Sequence, residues 1–189
     1  LDARNVDLKQ NADTPLATYI STWYDLSGNR NNAIQVMAKH RPQLITKNDN
    51  LRITFDSDAA HFLISDLNIN PDVMANVSVI SVINMNSSNP MGVWGQDITG
   101  HNRGLFMNVN NVSSGLSNGE AIIDSKMLFN KVSGDLGLVM GIYDEGNLNA
   151  SSLYLDGYLQ YRFTANNGEG LSKFIIGSSD EATNERAKS

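Results

Sequence analysis

Trp23-Tyr24-Asp25-Leu26-Ser27-Gly28-Asn29-Arg30-Asn31-Asn32-Ala33-Ile34-Gln35 combines an aromatic lead-in, a polar turn and an apolar exit. That order reads as two short strands joined by a tight hairpin. Gly28 and Asn29 tolerate the positive φ of such a turn, and Asp25 and Ser27 can accept hydrogen bonds from N–H groups of the bend. The rest of the chain repeats the theme, with short apolar runs separated by Asn, Ser and Gly.

Several of those runs alternate at the period of a strand. Leu51, Ile53 and Phe55 share one face of Leu51-Arg52-Ile53-Thr54-Phe55, and Leu105, Met107 and Val109 do the same further on. Leu136, Leu138, Met140 and Ile142 form a third such row, with Gly137 and Gly141 opposite, which suggests close backbone approach. Leu153-Tyr154-Leu155-Asp156-Gly157-Tyr158-Leu159 is the clearest hairpin, an Asp-Gly turn between apolar and aromatic arms. Leu1 to Leu8 reads as a first strand, and Phe174-Ile175-Ile176-Gly177 as the last.

Val77 to Met85 is apolar enough to predict a central strand buried on both faces, with Met91 to Gly95 returning as its hairpin partner. At Asn70-Pro71-Asp72 the cap-then-proline order predicts one helical turn over Val73 and Met74. No pattern of a longer helix occurs. The prediction is an all-β fold, an antiparallel two-sheet sandwich or jelly roll, in one domain over residues 1–177 with a polar segment at 178–189.

With 189 residues, of which 41% are hydrophobic, one β domain can bury a sizeable core. The net charge of −6, with no basic run, argues against nucleic acid or an anionic membrane surface as partner. No apolar run is long enough to span a bilayer as a helix, so no membrane insertion is expected. Cys is absent, which removes disulfides, thiolate nucleophiles and Cys-ligated zinc. Asn-x-Ser triplets stand at Asn76, Asn86, Asn111 and Asn149, as chance supplies in so Asn-rich a chain.

Catalytic patterns fare poorly. Retaining glycoside hydrolysis needs two carboxyl groups about 5 Å apart. Glu120 and Asp124 are the nearest approach to such a pair, and on a strand their backbones are about 13 Å apart. Gly115-Leu116-Ser117-Asn118-Gly119 spells a nucleophile elbow, but no helix follows to present the serine. His40, His61 and His101 each stand alone in sequence and read as surface or rim histidines.

The opening stretch, Arg41-Pro42, Ile53-Thr54-Phe55-Asp56 and Leu153-Tyr154-Leu155-Asp156-Gly157 together resemble the bacterial LamG-like, concanavalin A-like jelly-roll domains. The resemblance runs through nearly the whole chain in the right order. It implies two antiparallel sheets of about six or seven strands with one concave surface. It further implies a carbohydrate-binding, adhesive or spacer module of a large secreted or cell-surface bacterial protein, with calcium at the rim in some members, and Trp23 in the core. Thr54-Phe55-Asp56-Ser57 departs from the family pattern in lacking its glycine, and the final strand typical of the family is not in the sequence. A fragment of a larger protein is expected, with neighbouring domains or a homo-oligomer as further partners.

Two candidate sites follow. Asp25, Asn29 and Asn31 offer oxygen ligands at alternate positions and could hold calcium, or simply form an Asx-turn. Trp94, followed by a polar loop containing Asp97, His101, Asn102 and Arg103, combines an aromatic face with hydroxyl-bonding groups, the ingredients of a sugar site. Tyr143 and Asp144 are possible neighbours, and core packing of Trp94 is the competing reading. The functional expectation is a non-catalytic carbohydrate-binding module. A purely structural or oligomerising sandwich is the alternative, and a glycoside hydrolase comes third.

Overall fold

Two of the hairpins turn on adjacent residues with positive φ. Asn48 (52°) and Asp49 (59°) join β3 (Gln43–Lys47) to β4 (Asn50–Thr54), and Asp156 (51°) and Gly157 (84°) join β11 (Ser151–Leu155) to β12 (Tyr158–Phe163). Paired positive φ values match the right-handed twist of the flanking strands, which is why Asn, Asp and Gly occupy these turns. These hairpins come from a computed structural model that describes residues 1–56, 58–84, 91–96, 102–109, 113–117, 123, 136–166 and 170–178.

The remaining strands are β1 (Thr22–Trp23), β2 (Ala33–Ile34), β5 (Leu63–Ser65), β6 (Asn76–Ile83), β7 (Met91–Gly95), β8 (Gly104–Val109), β9 (Ser113–Leu116), β10 (Gly137–Asp144) and β13 (Phe174–Ile176). The only helix among the described residues is a 3-10 turn over Ala38–His40. None there is long and apolar enough to cross a membrane. The Asn70-Pro71-Asp72 segment forms a turn in which the Val73 and Met74 N–H groups donate to the Asn70 carbonyl.

Every strand pairing is antiparallel. One sheet runs β1-β2-β5-β13-β7-β8-β9, a second runs β12-β11-β10-β6, and β3-β4 stand as a separate hairpin. The two larger sheets share one apolar cluster: Trp94, Leu105, Met107 and Leu116 from the first, with Val139, Tyr143, Leu153, Leu155 and Phe163 from the second. Gly141 lies where they meet, and a Cβ there would stand 2.9 Å from Leu116 Cδ2. A smaller cluster of Val6, Ile20 and Leu44 anchors the β3–β4 hairpin through Leu51 and Ile53.

Five expectations are revised. Residues 1–8 form turns rather than a strand, because Asp7 draws the Lys9, Asn11 and Asp13 N–H groups around its carboxylate. Trp23 is half-buried at the smaller cluster, its Nε1 donating to the Asp2 carbonyl. Among the described residues β6 is the end strand of its sheet, and it alternates between faces, so its apolar run is not evidence of burial on both sides. Its partner is β10, whereas β7 crosses to the other sheet and pairs with β8 and β13. Leu138, Met140 and Ile142 do share a face, but it is the outer one; Val139, Gly141 and Tyr143 point inward.

Candidate functional site

Among the residues expected to bind a ligand, the described Trp94, Asn102, Arg103 and Tyr143 are buried. Trp94, on β7, is only 3% exposed and stacks on Phe174 with ring centroids 5.8 Å apart. Arg103 ends the loop before β8 and is equally buried. Its Nη1 donates to the Ile69 and Met74 carbonyls at 2.7 and 2.6 Å, and its Nη2 to the Ala75 carbonyl at 3.2 Å. Nη2 also meets Glu145 Oε2 at 3.0 Å, and the guanidinium carbon lies 5.2 Å from the centre of the Tyr143 ring.

Charge that is taken out of water must be matched nearly atom for atom. Three carbonyls, one carboxylate and one aromatic face supply that match, although Arg103 Nε and Glu145 Oε1 are left without partners. The Tyr143 hydroxyl accepts from the Gly104 N–H at 3.1 Å and has the Ser117 and Gly104 carbonyls within reach of its one proton. Burial pushes this phenol far above its ordinary pKa, so it remains a neutral donor.

Beside it, Gln96 and Asn70 form a second layer. Gln96 Oε1 accepts from the Ile69 N–H, its Nε2 donates to Asn70 Oδ1, and Asn70 Nδ2 reaches the carbonyls of Gly170 and Leu171. Only glycine fits at 170, because a Cβ there would overlap the Gln96 carbonyl oxygen. The result is a buried polar hub that ties the 69–75 loop, β7, β8, β10 and the approach to β13 together.

Of the expected ligand residues, Trp94, Asn102, Arg103 and Tyr143 are all buried in and around this hub. Asp144 neighbours it in sequence but faces outward, half-buried, accepting from Asn147 Nδ2 at 2.7 Å. Asp97 and His101 lie outside the described residues, as do Glu120, Asp124 and the end of the Gly115–Gly119 pattern. Glu145, Gln96 and Asn70 were not foreseen. A signal existed for Glu145: an arginine between Asn102 and Gly104 needs a carboxylate, and Glu145 directly follows the apolar β10 run.

No family model, curated protein or solved structure matches the chain.

At the opening turn, Asp25 Oδ1 accepts from the Ser27 N–H at 2.8 Å, while Oδ2 accepts from Ser27 Oγ at 2.8 Å and the Asn31 N–H at 3.0 Å. The Ser27 N–H, then the Ser27 hydroxyl, hold this carboxyl below its usual pKa. Asn32 Oδ1 closes the loop by accepting from the Asp25 N–H. Positive φ falls at Gly28 (85°) and Arg30 (63°), so the tight hairpin expected at Gly28-Asn29 is a longer loop, with β1 and β2 paired only through Trp23↔Ala33 and Thr22↔Ile34. Asp25 and Asn31 take part in an Asx-turn, and Asn29 contributes its N–H to Ser27 Oγ. Among the described residues no group of three His, Asp or Glu could hold a metal ion.

His40 and His61 are buried rather than at the surface. His40 Nδ1 lies 3.1 Å from the Ala59 carbonyl, and His61 Nδ1 accepts from the Asp56 N–H at 3.2 Å. Burial lowers the pKa of His61, Asp56 opposes that, and His40 adds to it. Each imidazole thus has its Nδ1 bonded to a backbone group.

Proposed function

We propose that this chain is a non-catalytic assembly module of a larger bacterial surface protein, built as a concanavalin A-like jelly-roll sandwich. Its outside serves as a contact surface between polypeptides. The observation that carries this reading is where the aromatic and hydrogen-bonding side chains are spent. Trp94, Arg103 and Tyr143 serve the interior, whereas the outer face of the four-stranded sheet carries an exposed apolar row. The jelly-roll winding is supported by chain crossings from β6 to β7, β9 to β10 and β12 to β13, each from one sheet to the other. It is also supported by β13 lying between β5 and β7.

A carbohydrate-binding function would need an aromatic platform open to solvent, which Trp94 does not offer. The test is a glycan array run with and without calcium, together with an assay for reducing ends released from oligosaccharides. Neither binding nor turnover is expected from the folded chain. Saturable glycan binding, abolished by Asp97→Ala or His101→Ala, would replace this reading with a lectin.

A further inference from the structure

The outer face of the β12-β11-β10-β6 sheet carries a row that crosses all four strands. Register places Ile80 opposite Met140, Met140 opposite Tyr154, and Tyr154 opposite Leu159. A second row adds Val82 opposite Leu138, and Ile142 lies beyond Met140 on the same side of β10. Ile80 is 65% exposed, Val82 64%, Leu159 45% and Leu138 43%. Charge is kept to the margins of this face, at Asp144, Asp156 and Arg162.

We infer that this face is where two copies of the chain pack, sheet against sheet, about a twofold axis. The inference rests on the assembly reading above and names its partner. The exposed parts of Ile80, Val82, Leu138 and Leu159 amount to roughly 400 Å², within the range of the largest patch on a typical monomer. With the half-buried Met140, Ile142 and Tyr154 added, two such faces bury about 1,000 Å², which reaches the threshold of a specific interface. A twofold contact presents the same patch on both sides, so an apolar centre meets an apolar centre and needs no complementary charge. A chain of net charge −6 repels its own kind elsewhere on its surface; here no carboxylate lies in the central row.

Sheet packing at about 10 Å lets Ile80, Met140 and Leu159 of the two copies interdigitate. The second copy then covers the exposed apolar side chains of β6, the end strand among the described residues.

Sedimentation velocity over a concentration series up to about 100 µM tests this, in the range where an interface of such size associates. The wild-type chain is expected to reversibly dimerise. Ile80→Lys, whose side chain is largely in water in the monomer, should weaken dimerisation at least tenfold while leaving circular dichroism and melting unchanged. If Ile80→Lys melts early, Leu159→Lys on the far strand carries the same expectation. Tyr158→Lys is the control, since Tyr158 is 76% exposed but pairs with inward-facing Leu155 at the hairpin tip and lies off this face. A wild-type chain that stays monomeric overturns the self-pairing, and so does a dimer that Ile80→Lys and Leu159→Lys leave intact or that Tyr158→Lys alone dissolves. Those results leave the assembly reading standing unless glycan binding has been found.

Discussion

Asp25 and Glu145 are both carboxylates held by hydrogen bonds, yet they do opposite work. Asp25 lies in a surface loop and gathers donors from residues two and six positions away. Glu145 is buried and faces Arg103 across 42 positions of sequence, joining the two large sheets. A local turn sets the direction of the chain for a few residues, and water can replace what it loses. The buried pair cannot be rehydrated, so each partner is indispensable to the other once both are folded inside.

The sharpest way to separate the two is to remove one buried charge. Glu145→Ala leaves the Arg103 guanidinium buried with its carbonyls but no counter-ion, and should destabilise the chain by about 3–5 kcal/mol in urea unfolding. Arg103→Met combined with Glu145→Leu should cost less than either single change. A single substitution costing under about 1 kcal/mol would mean that the pair is hydrated in solution.

Tyr143→Phe probes the same hub more gently. It keeps the ring under Arg103 and against Phe163, and removes only the hydroxyl that accepts from the Gly104 N–H. A buried N–H left unsatisfied should cost about 1–3 kcal/mol, read from the denaturant midpoint at unchanged m-value. A neutral result would show that another acceptor takes over.

The contrast also explains what could be read ahead of the structure. Asp156-Gly157, the Asx-turn at Asp25 and the one-turn segment after Asn70 were legible because a turn is specified by residues within reach of one another. The place of β6 was not. In Val77-Ser78-Val79-Ile80-Ser81-Val82-Ile83, apolar residues occupy both faces, which conceals an alternation of outward Ile80 and Val82 with inward Val79 and Ile83. The hub stayed hidden for a related reason. Gln96 and Arg103 look solvated in so polar a stretch, and only the return of β10 and the 69–75 loop supplies the carbonyls, N–H and carboxylate that bury these two side chains.

His61 lies between these extremes, partly buried and bonded through Nδ1 to the Asp56 N–H. Burial sets its folded pKa below the ordinary 6.5. Between those values the unfolded chain holds a proton that the folded chain refuses, so stability rises with pH through that window. It is complete above about 6.5 and is lost as pH falls toward the folded value. The wild-type melting temperature should therefore fall between about pH 7 and pH 5 more than that of His61→Gln. Equal slopes for the two proteins would assign the acid sensitivity to carboxylates alone.

The smallest effect is expected at Asp25. Asp25 is half-buried in a surface loop, its pKa is lowered first by the Ser27 N–H and then by the Ser27 hydroxyl, and the strands it joins are two residues long. Asp25→Ala removes three accepted hydrogen bonds but strands no buried group, since water can reach every donor. The global unfolding midpoint should hardly move. Amide exchange at Ser27 and Asn31 should quicken while that at Leu105 and Val139, in the central cluster, stays slow. If Asp25→Ala instead lowered the midpoint as far as Tyr143→Phe does, the turn would be coupled to the core through Trp23 and the smaller cluster. The division between local turn and buried hub would then fail at that point.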